Sequence, residues 1–187
     1  MNIAILGWGS LIWDPQELPH YGPWKTGGPR LPLEFSRVSS DGRLTLVIDP
    51  SGPQLPTRFA LSPRTDISDA VEDLRKREGA ARQHIGFLIA ATGSNSRQTF
   101  SRQIDVNELV KNWCVSQQVD GCVWTALPSN FCEEINLEFS PDNAVVYLER
   151  LGKTNREKAL RYFRNAPAEV DTPLRRKVSE KWPSPAS

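Results

Sequence analysis

Residues 7–11, with the sequence Gly-Trp-Gly-Ser-Leu, are the first candidate for chemistry in this chain. They follow the short apolar run at residues 2–7, which we predict to be a buried strand. A glycine-flanked turn directly after a strand leaves backbone N–H groups that point outward without side-chain cover. Such groups bind carboxylates, phosphates or a developing oxyanion. An ordinary tight turn explains the same pattern, and from these residues alone it is the simpler explanation.

Glu78 is the second candidate, because it falls in the last turn of a helix that we predict over residues 66–79. The helix dipole puts partial negative charge at a helix C-terminus, so a carboxylate there is electrostatically misplaced. If the group is also buried, that placement suits a general base, which must accept and return a proton. The alternative is a solvated surface glutamate screened by the basic residues 75–77, and the sequence alone favours it.

Nucleophilic, nucleotide and metal chemistry find little support in the sequence. Ser10 is not in a Gly-x-Ser-x-Gly elbow, since Ile12 takes the place of the second glycine. The turn also lacks Gly-Lys-Ser/Thr and the third glycine of a dinucleotide fingerprint. The two histidines and three cysteines match no metal-ligand spacing, so we expect no metal and no cofactor. We expect Cys114 and Cys122 to pack in the core, and three cysteines without a close pair in the sequence favour a reducing, cytoplasmic location.

Length and charge narrow the class of protein further. The 187 residues fit one domain, which we predict over residues 1–182 with a flexible tail at 183–187. The formal net charge of +1 argues against a dedicated nucleic-acid binder, which usually has an excess of basic residues. In a weaker interpretation the basic stretch at residues 153–181 binds RNA. The solvated sides of two helices explain that stretch more simply. Because no apolar run is long enough to cross a bilayer and no basic n-region opens the chain, we expect neither a membrane segment nor a signal peptide.

The elements that must position the turn and Glu78 form an α+β pattern. Asp41-Gly42 between two β-rich runs predicts a hairpin, and the proline- and glycine-rich residues 15–32 predict a loop. Since helices and strands do not alternate strictly, we expect a mixed, barrel-like sheet with flanking helices. We predict strands at residues 2–7, 31–40, 43–49, 57–61, 85–91 and 121–126, and helices at 66–79, 105–119, 141–151, 154–164 and 172–182.

Two motifs taken together resemble the gamma-glutamylcyclotransferase-like superfamily, and in particular its glutathione-degrading branch. They are Gly-Trp-Gly-Ser-Leu-Ile-Trp-Asp-Pro at residues 7–15 and Arg-Glu-Gly at residues 77–79. Members open with a strand and a Tyr-Gly-Ser-(Asn/Leu)-Leu/Met turn, which one branch extends with Trp-Asn-Pro. A hairpin-rich middle follows, and then a helix that carries an Arg-Glu or Gln-Glu-Gly element. The resemblance covers residues 2–90.

The resemblance implies a transferase or lyase that forms 5-oxoproline from a small γ-glutamyl-type substrate without metal or cofactor. It implies that the backbone amides of the turn residues Trp8, Gly9, Ser10 and Leu11 hold the glutamyl end of the substrate. It also implies that Glu78 is the general acid/base, which takes a proton from the α-amine. That amine attacks the γ-carbonyl of the same molecule, so positioning supplies much of the rate.

One departure from the family pattern leaves an alternative open. Trp8 stands where the family has tyrosine, which removes a phenolic O–H that could bind substrate. The alternative is therefore a catalytically altered protein on the same fold, which binds a small molecule or a partner protein without turnover. We also consider that residues 123–131 line the leaving-group side of the pocket. A strand followed by a loop, with Trp124 in the core, explains that segment equally well. The leaving group and the oligomeric state stay open.

Overall fold

A computed structural model describes residues 1–96 and 103–184 of the chain, with side chains in the second range from Val106 onward. These residues divide into two compact units. The first comprises Met1–Leu31 and Pro56–Leu127, and the second comprises Pro32–Leu55 and the chain from Pro128 onward. A single domain over residues 1–182 stays a prediction, and residues 185–187 of the predicted tail lie outside the described residues.

The described residues contain eight strands, six α-helices and a short 3-10 turn at Arg82–His84. The strands are β1 (Ile3–Gly7), β2 (Tyr21–Lys25), β3 (Arg30–Val38), β4 (Leu44–Ile48), β5 (Gln54–Pro56), β6 (Arg58–Leu61), β7 (Ile85–Ile89) and β8 (Gly121–Thr125). The helices are α1 (Ile67–Glu78), α2 (Gln103–Gln117), α3 (Phe131–Ile135), α4 (Pro141–Arg150), α5 (Lys153–Asn165) and α6 (Pro173–Lys181). Of the helices described, none combines the length and the apolar character that a membrane span needs.

The first unit is built on a five-stranded sheet in the order β2-β6-β1-β8-β7. β1 runs parallel to β8, while the pairs β1–β6, β2–β6 and β7–β8 are antiparallel. The sheet is therefore mixed, which confirms the predicted α+β class with a mixed sheet. Among the described residues this sheet does not close into a barrel, so the barrel-like form stays a prediction.

Both faces of this sheet are covered by a helix of the same unit. Successive strand residues point to opposite faces, so Val123 and Cys122 of β8 lie on different sides. Val123 belongs to an apolar cluster with α1, whereas Cys122 contacts Cys114 of α2. The cluster beneath α1 is formed by Ile3, Ile5, Leu11, Leu18, Ile67, Ala70, Val71, Leu74, Ile85 and Val123. It includes Leu11, so the turn after β1 is anchored in the core.

The second unit is built on a three-stranded sheet in the order β4-β3-β5, with α3–α6 in the same unit. The predicted hairpin between β3 and β4 is confirmed. Gly42 adopts φ +80°, and its amide donates to Ser39 O at 2.9 Å. The Tyr147 hydroxyl donates to Gly42 O at 2.8 Å, which ties α4 to the hairpin. Phe35 of β3 stacks on Phe163 of α5, with the ring centroids 4.3 Å apart.

Two local predictions are wrong. Residues 15–32 are not all loop, because β2 forms at Tyr21–Lys25 despite Gly22 and Pro23. This strand lies at the sheet edge, pairs with β6 alone and has a register irregularity, and an edge is where a strand tolerates proline. Thr154 and Glu157 have the spacing of a capping box, which predicts that they close the N-terminus of α5. The box is absent, since α5 begins at Lys153 after Gly152, without a side-chain cap.

Three other helices have a side-chain cap at their N-terminus. Asp66, Ser140 and Thr172 each accept a hydrogen bond from a backbone amide in the first turn of α1, α4 and α6, respectively. Asp105 and Glu108 have the spacing of a capping box for α2, and Asp105 lies outside the described side chains. The strand β5 and the helix α3 were not predicted, and both are at most five residues long.

Candidate functional site

The turn after β1 is closed by two backbone hydrogen bonds. Ile12 N donates to Gly9 O at 3.0 Å, and Asp14 N donates to Ser10 O at 2.8 Å. Within the described part of the chain, the amides of Gly9, Ser10 and Leu11 donate no backbone hydrogen bond. The turn therefore has the free backbone donors that an anion or an oxyanion would require. The Leu11 side chain is buried, which fixes the turn to the core.

Trp24 of β2 packs against the residue that opens this turn. A Cβ placed on Gly7 would lie 2.7 Å from Trp24 Cζ3, so only glycine allows the indole to lie here. The His20 ring lies 5.6 Å from the Trp24 ring, centroid to centroid. The irregular edge strand thus supplies an aromatic wall beside the turn.

The helix α1 places Glu78 because both of its ends are specified by the sequence. Asp66 caps the N-terminus by accepting from Ser68 N at 2.7 Å. At the other end Gly79 adopts the left-handed conformation, with φ +58°, and stops the helix. One face of α1, formed by Ile67, Ala70, Val71 and Leu74, is buried in the core. Glu78 is therefore the last helical residue, as predicted.

Arg77 connects Glu78 to the turn. Its Nη1 donates to Glu78 Oε1 at 2.7 Å, and its Nη2 donates to Ser10 Oγ at 3.1 Å and to Asp14 O at 2.6 Å. Ser10 and Arg77 are 67 residues apart in the sequence. The structure thus joins the turn and the helix end, which are the two regions that the sequence singled out separately, through one guanidinium group.

The burial of this pair excludes a solvated surface glutamate. The Glu78 side chain is 13% exposed and that of Arg77 is 7% exposed, whereas Glu72 on the same helix is 40% exposed. Two charges removed from water cost free energy unless they are paired and hydrogen-bonded. The Arg77–Glu78 ion pair meets that requirement at Oε1, and Arg77 Nε is buried without a partner among the described residues.

The other candidate positions have simpler roles. The Trp8 side chain is buried, so what this residue can offer a ligand is its backbone. Trp124 is fully buried, and a Cβ on Gly86 would lie 2.2 Å from its Cε2, which shows that the two residues pack face to face across β7 and β8. Trp124 is therefore a core residue, and the leaving-group hypothesis is wrong at this position. For residues 125–131 it stays untested.

Sequence reasoning missed the role of Arg77. Side chains at neighbouring positions of a helix do not face each other, so the Arg77–Glu78 pair is not what helical spacing predicts. The pair forms because both residues lie at the helix end, where the Arg77 side chain can point toward the turn at residues 7–11. The only sequence signal was the adjacency of arginine and glutamate in the Arg-Glu-Gly element at residues 77–79.

Among the described residues, no group of three or more His, Cys, Asp or Glu side chains is arranged to hold a metal ion. The sequence matches no family model, no curated protein and no solved structure.

Proposed function

We propose that this protein is a gamma-glutamylcyclotransferase-like enzyme, with the fold of that superfamily, which releases 5-oxoproline from a small γ-glutamyl compound. The observation that carries the proposal is the hydrogen-bonded link from Ser10 through Arg77 to Glu78. It brings the turn and a partly buried carboxylate into one region, and this chemistry needs both. The proposal adds that Gly9, Ser10 and Leu11 hold the glutamyl end of the substrate.

In the proposed reaction Glu78 removes a proton from the substrate's α-amine. The amine nitrogen then attacks the γ-carbonyl carbon, a C–N bond forms, and a five-membered ring closes. The bond from that carbon to the leaving nitrogen breaks, and Glu78 returns the proton to the leaving nitrogen. The products are 5-oxoproline and the released amine or peptide. Because the attack is intramolecular, holding the substrate in a folded geometry supplies much of the acceleration.

Arg77 has a positioning role in this proposal. It holds one carboxylate oxygen of Glu78, Oε1, so Oε2 is the oxygen that would exchange a proton with the substrate. The same guanidinium binds Ser10 Oγ, so the carboxylate and the turn amides keep a fixed separation. An active-site base that is held in this way is pre-organised for proton transfer.

The stability of the fold does not by itself explain why a glutamate occupies position 78. It ends α1 at the negative end of the helix dipole, where Arg75, Lys76 and Arg77 are the residues that favour the helix. A buried carboxylate at that end requires a dedicated partner, and Arg77 is that partner. Groups with costly environments of this kind are concentrated in functional sites.

The test is to incubate the protein with γ-glutamyl amines, γ-glutamyl amino acids and glutathione, and to quantify 5-oxoproline together with the released amine. We expect both products in equal amounts from at least one member of the panel. The Glu72→Gln variant serves as a matched control for later variants of Glu78, since Glu72 is an exposed glutamate on the same helix.

The binding alternative has a different signature in the same panel. The alternative rests on Trp8, whose buried indole stands where the family has tyrosine. If a γ-glutamyl ligand raises the melting temperature without being consumed, the protein is a binding module and the catalytic proposal fails. If no member of the panel stabilises the protein or yields product, both proposals fail.

A further inference from the structure

Cys114 and Cys122 form a close, buried pair in the first unit that the proposed reaction does not use. Their sulfur atoms are 3.1 Å apart, and neither side chain is exposed to solvent. Cys114 lies in α2 and Cys122 lies in β8. We expected core packing for each cysteine, and the packing is confirmed. Their proximity is a feature that the sequence spacing did not predict.

The chain reversal between α2 and β8 explains why these two cysteines meet. Gln118 adopts φ +54°, which ends the helix, and Val119 N donates back to Cys114 O at 2.9 Å. Asp120 then contacts the residue before β1, because Asn2 N donates to its Oδ2 at 2.6 Å. Since Cys114 and Cys122 are each four positions from Gln118, the reversal places them opposite each other.

We propose that Cys114 and Cys122 are a reversible oxidation site, which a peroxide converts to an intramolecular disulfide that links α2 to β8. A disulfide requires a sulfur–sulfur distance of about 2 Å. The observed 3.1 Å therefore leaves a closure of about 1 Å between the two sulfur atoms.

The chemistry follows from the difference between the two thiols. The hydrogen bond from Cys122 lowers the pKa of Cys114, whereas burial raises the pKa of Cys122. The Cys114 thiolate therefore attacks a peroxide oxygen, the O–O bond breaks, and a sulfenic acid forms on Cys114. The Cys122 sulfur then attacks the Cys114 sulfur and water leaves. With hydrogen peroxide, two thiols and one peroxide give one disulfide and two waters, and a dithiol reverses the step by exchange.

The experiment uses the full chain carrying Cys132→Ser, since Cys132 is exposed and would otherwise react first. The variant is treated with hydrogen peroxide, blocked with an alkylating reagent under denaturing conditions, and digested for mass spectrometry. We expect one linked peptide that contains Cys114 and Cys122, a loss of two hydrogen atoms in the intact mass, a higher melting temperature, and full reversal by dithiothreitol.

A second arm of the experiment is needed because the cysteine pair is buried. Peroxide that enters slowly would limit the rate of disulfide formation without showing whether the disulfide is stable. The same variant is unfolded and refolded in a glutathione buffer with the oxidised form in excess, which measures the equilibrium directly. A linked peptide in this arm supports the proposal. Two free thiols after refolding in this buffer would overturn it, as would disulfides between chains or stable glutathione adducts at these two positions.

Discussion

Two carboxylates with little exposure to solvent, the buried Glu34 in the second unit and the partly buried Glu78 in the first, are held in opposite ways. Glu34 is 2% exposed and accepts hydrogen bonds from the Phe35 amide at 2.8 Å, the Thr172 hydroxyl and the Leu174 amide. Thr172 and Leu174 lie at the N-terminus of α6, where the helix dipole favours an anion. Glu78 lies at a helix C-terminus, where the dipole opposes it, and a buried arginine holds it.

The difference distinguishes a structural carboxylate from a candidate catalytic one. Glu34 has hydrogen-bond donors from the strand and helix that it joins, so folding accounts for its position. Glu78 has no such reason to lie where it does. Its partner Arg77 is itself buried and also binds Ser10 of the turn. We therefore expect changes around Glu34 to affect stability alone, and changes around Glu78 to affect activity as well.

The largest loss of stability should come from Arg77→Met, which leaves the buried Glu78 carboxylate without its partner. Breaking a fully buried ion pair in this way costs about 3–5 kcal/mol, and for this largely buried pair we expect the lower end, about 3 kcal/mol. Denaturant unfolding followed by circular dichroism measures the loss. The control is Arg75→Met, because Arg75 on the same helix forms a more exposed pair with Glu72 and should lose about 1 kcal/mol or less. Equal midpoints for the two variants would show that the Arg77–Glu78 pair is not a buried one in solution.

A smaller loss is expected from Thr172→Ala, because Thr172 both caps α6 and donates to Glu34. Loss of the cap costs about 1 kcal/mol, and loss of the donor to a buried carboxylate adds about 1 kcal/mol more. The matched control is Ser140→Ala, since Ser140 caps α4 with the same 3.1 Å hydrogen bond. If both variants lose the same free energy of unfolding, the Thr172 hydroxyl contributes nothing to holding Glu34.

Ser10→Ala should cost about 1 kcal/mol, because it removes one acceptor of the buried Arg77 guanidinium. Since the turn then loses its link to Glu78, the rate of 5-oxoproline formation should fall as well, with folding retained. Ser68→Ala, at an exposed position in the first turn of α1, should change the free energy of unfolding by about 0.5 kcal/mol or less. A Ser10→Ala variant with unchanged stability and unchanged rate would contradict the link between the turn and Glu78.

The pH dependence of stability gives a subtler test of Glu34. Burial raises the pKa of its carboxyl above the ordinary value of 4.5. As the pH rises from that value, the unfolded chain releases the proton first, so folding takes up a proton and stability falls until the folded-state pKa is passed. Glu34→Gln removes this titration, so the decline in unfolding midpoint between about pH 4.5 and neutrality should become shallower. An unchanged or steeper decline would show that burial does not raise the pKa of Glu34.

The sequence predicted those parts of the site that depend on local rules. Asp66 and Gly79 define both ends of α1, and this alone put Glu78 in the last turn of the helix. The turn at residues 7–11 followed from an apolar strand that ends in glycine. Local rules did not predict that Arg77 reaches Ser10, because that contact depends on how α1 packs on the sheet.

The strand β2 and the proximity of Cys114 and Cys122 depend on conformations that cannot be predicted from the residue types. β2 forms despite Gly22 and Pro23 because it lies at a sheet edge. An edge strand has no neighbour on its outer side, so it tolerates a proline, which has no backbone N–H to donate. Cys114 and Cys122 meet because Gln118, a residue that is not glycine, takes the left-handed conformation and reverses the chain. In both cases tertiary packing overrides what composition favours.

The catalytic assignment is tested most directly by the initial rate of 5-oxoproline release from the best γ-glutamyl substrate. The rate is measured for Glu78→Gln and Glu34→Gln at a temperature where circular dichroism shows that both variants are folded. Removing a general acid/base costs about 100-fold or more in rate. We therefore predict at least that loss for Glu78→Gln, and a rate within about threefold of the unmodified protein for Glu34→Gln. A folded Glu78→Gln variant that keeps the full rate would contradict the assignment of Glu78 as the acid/base.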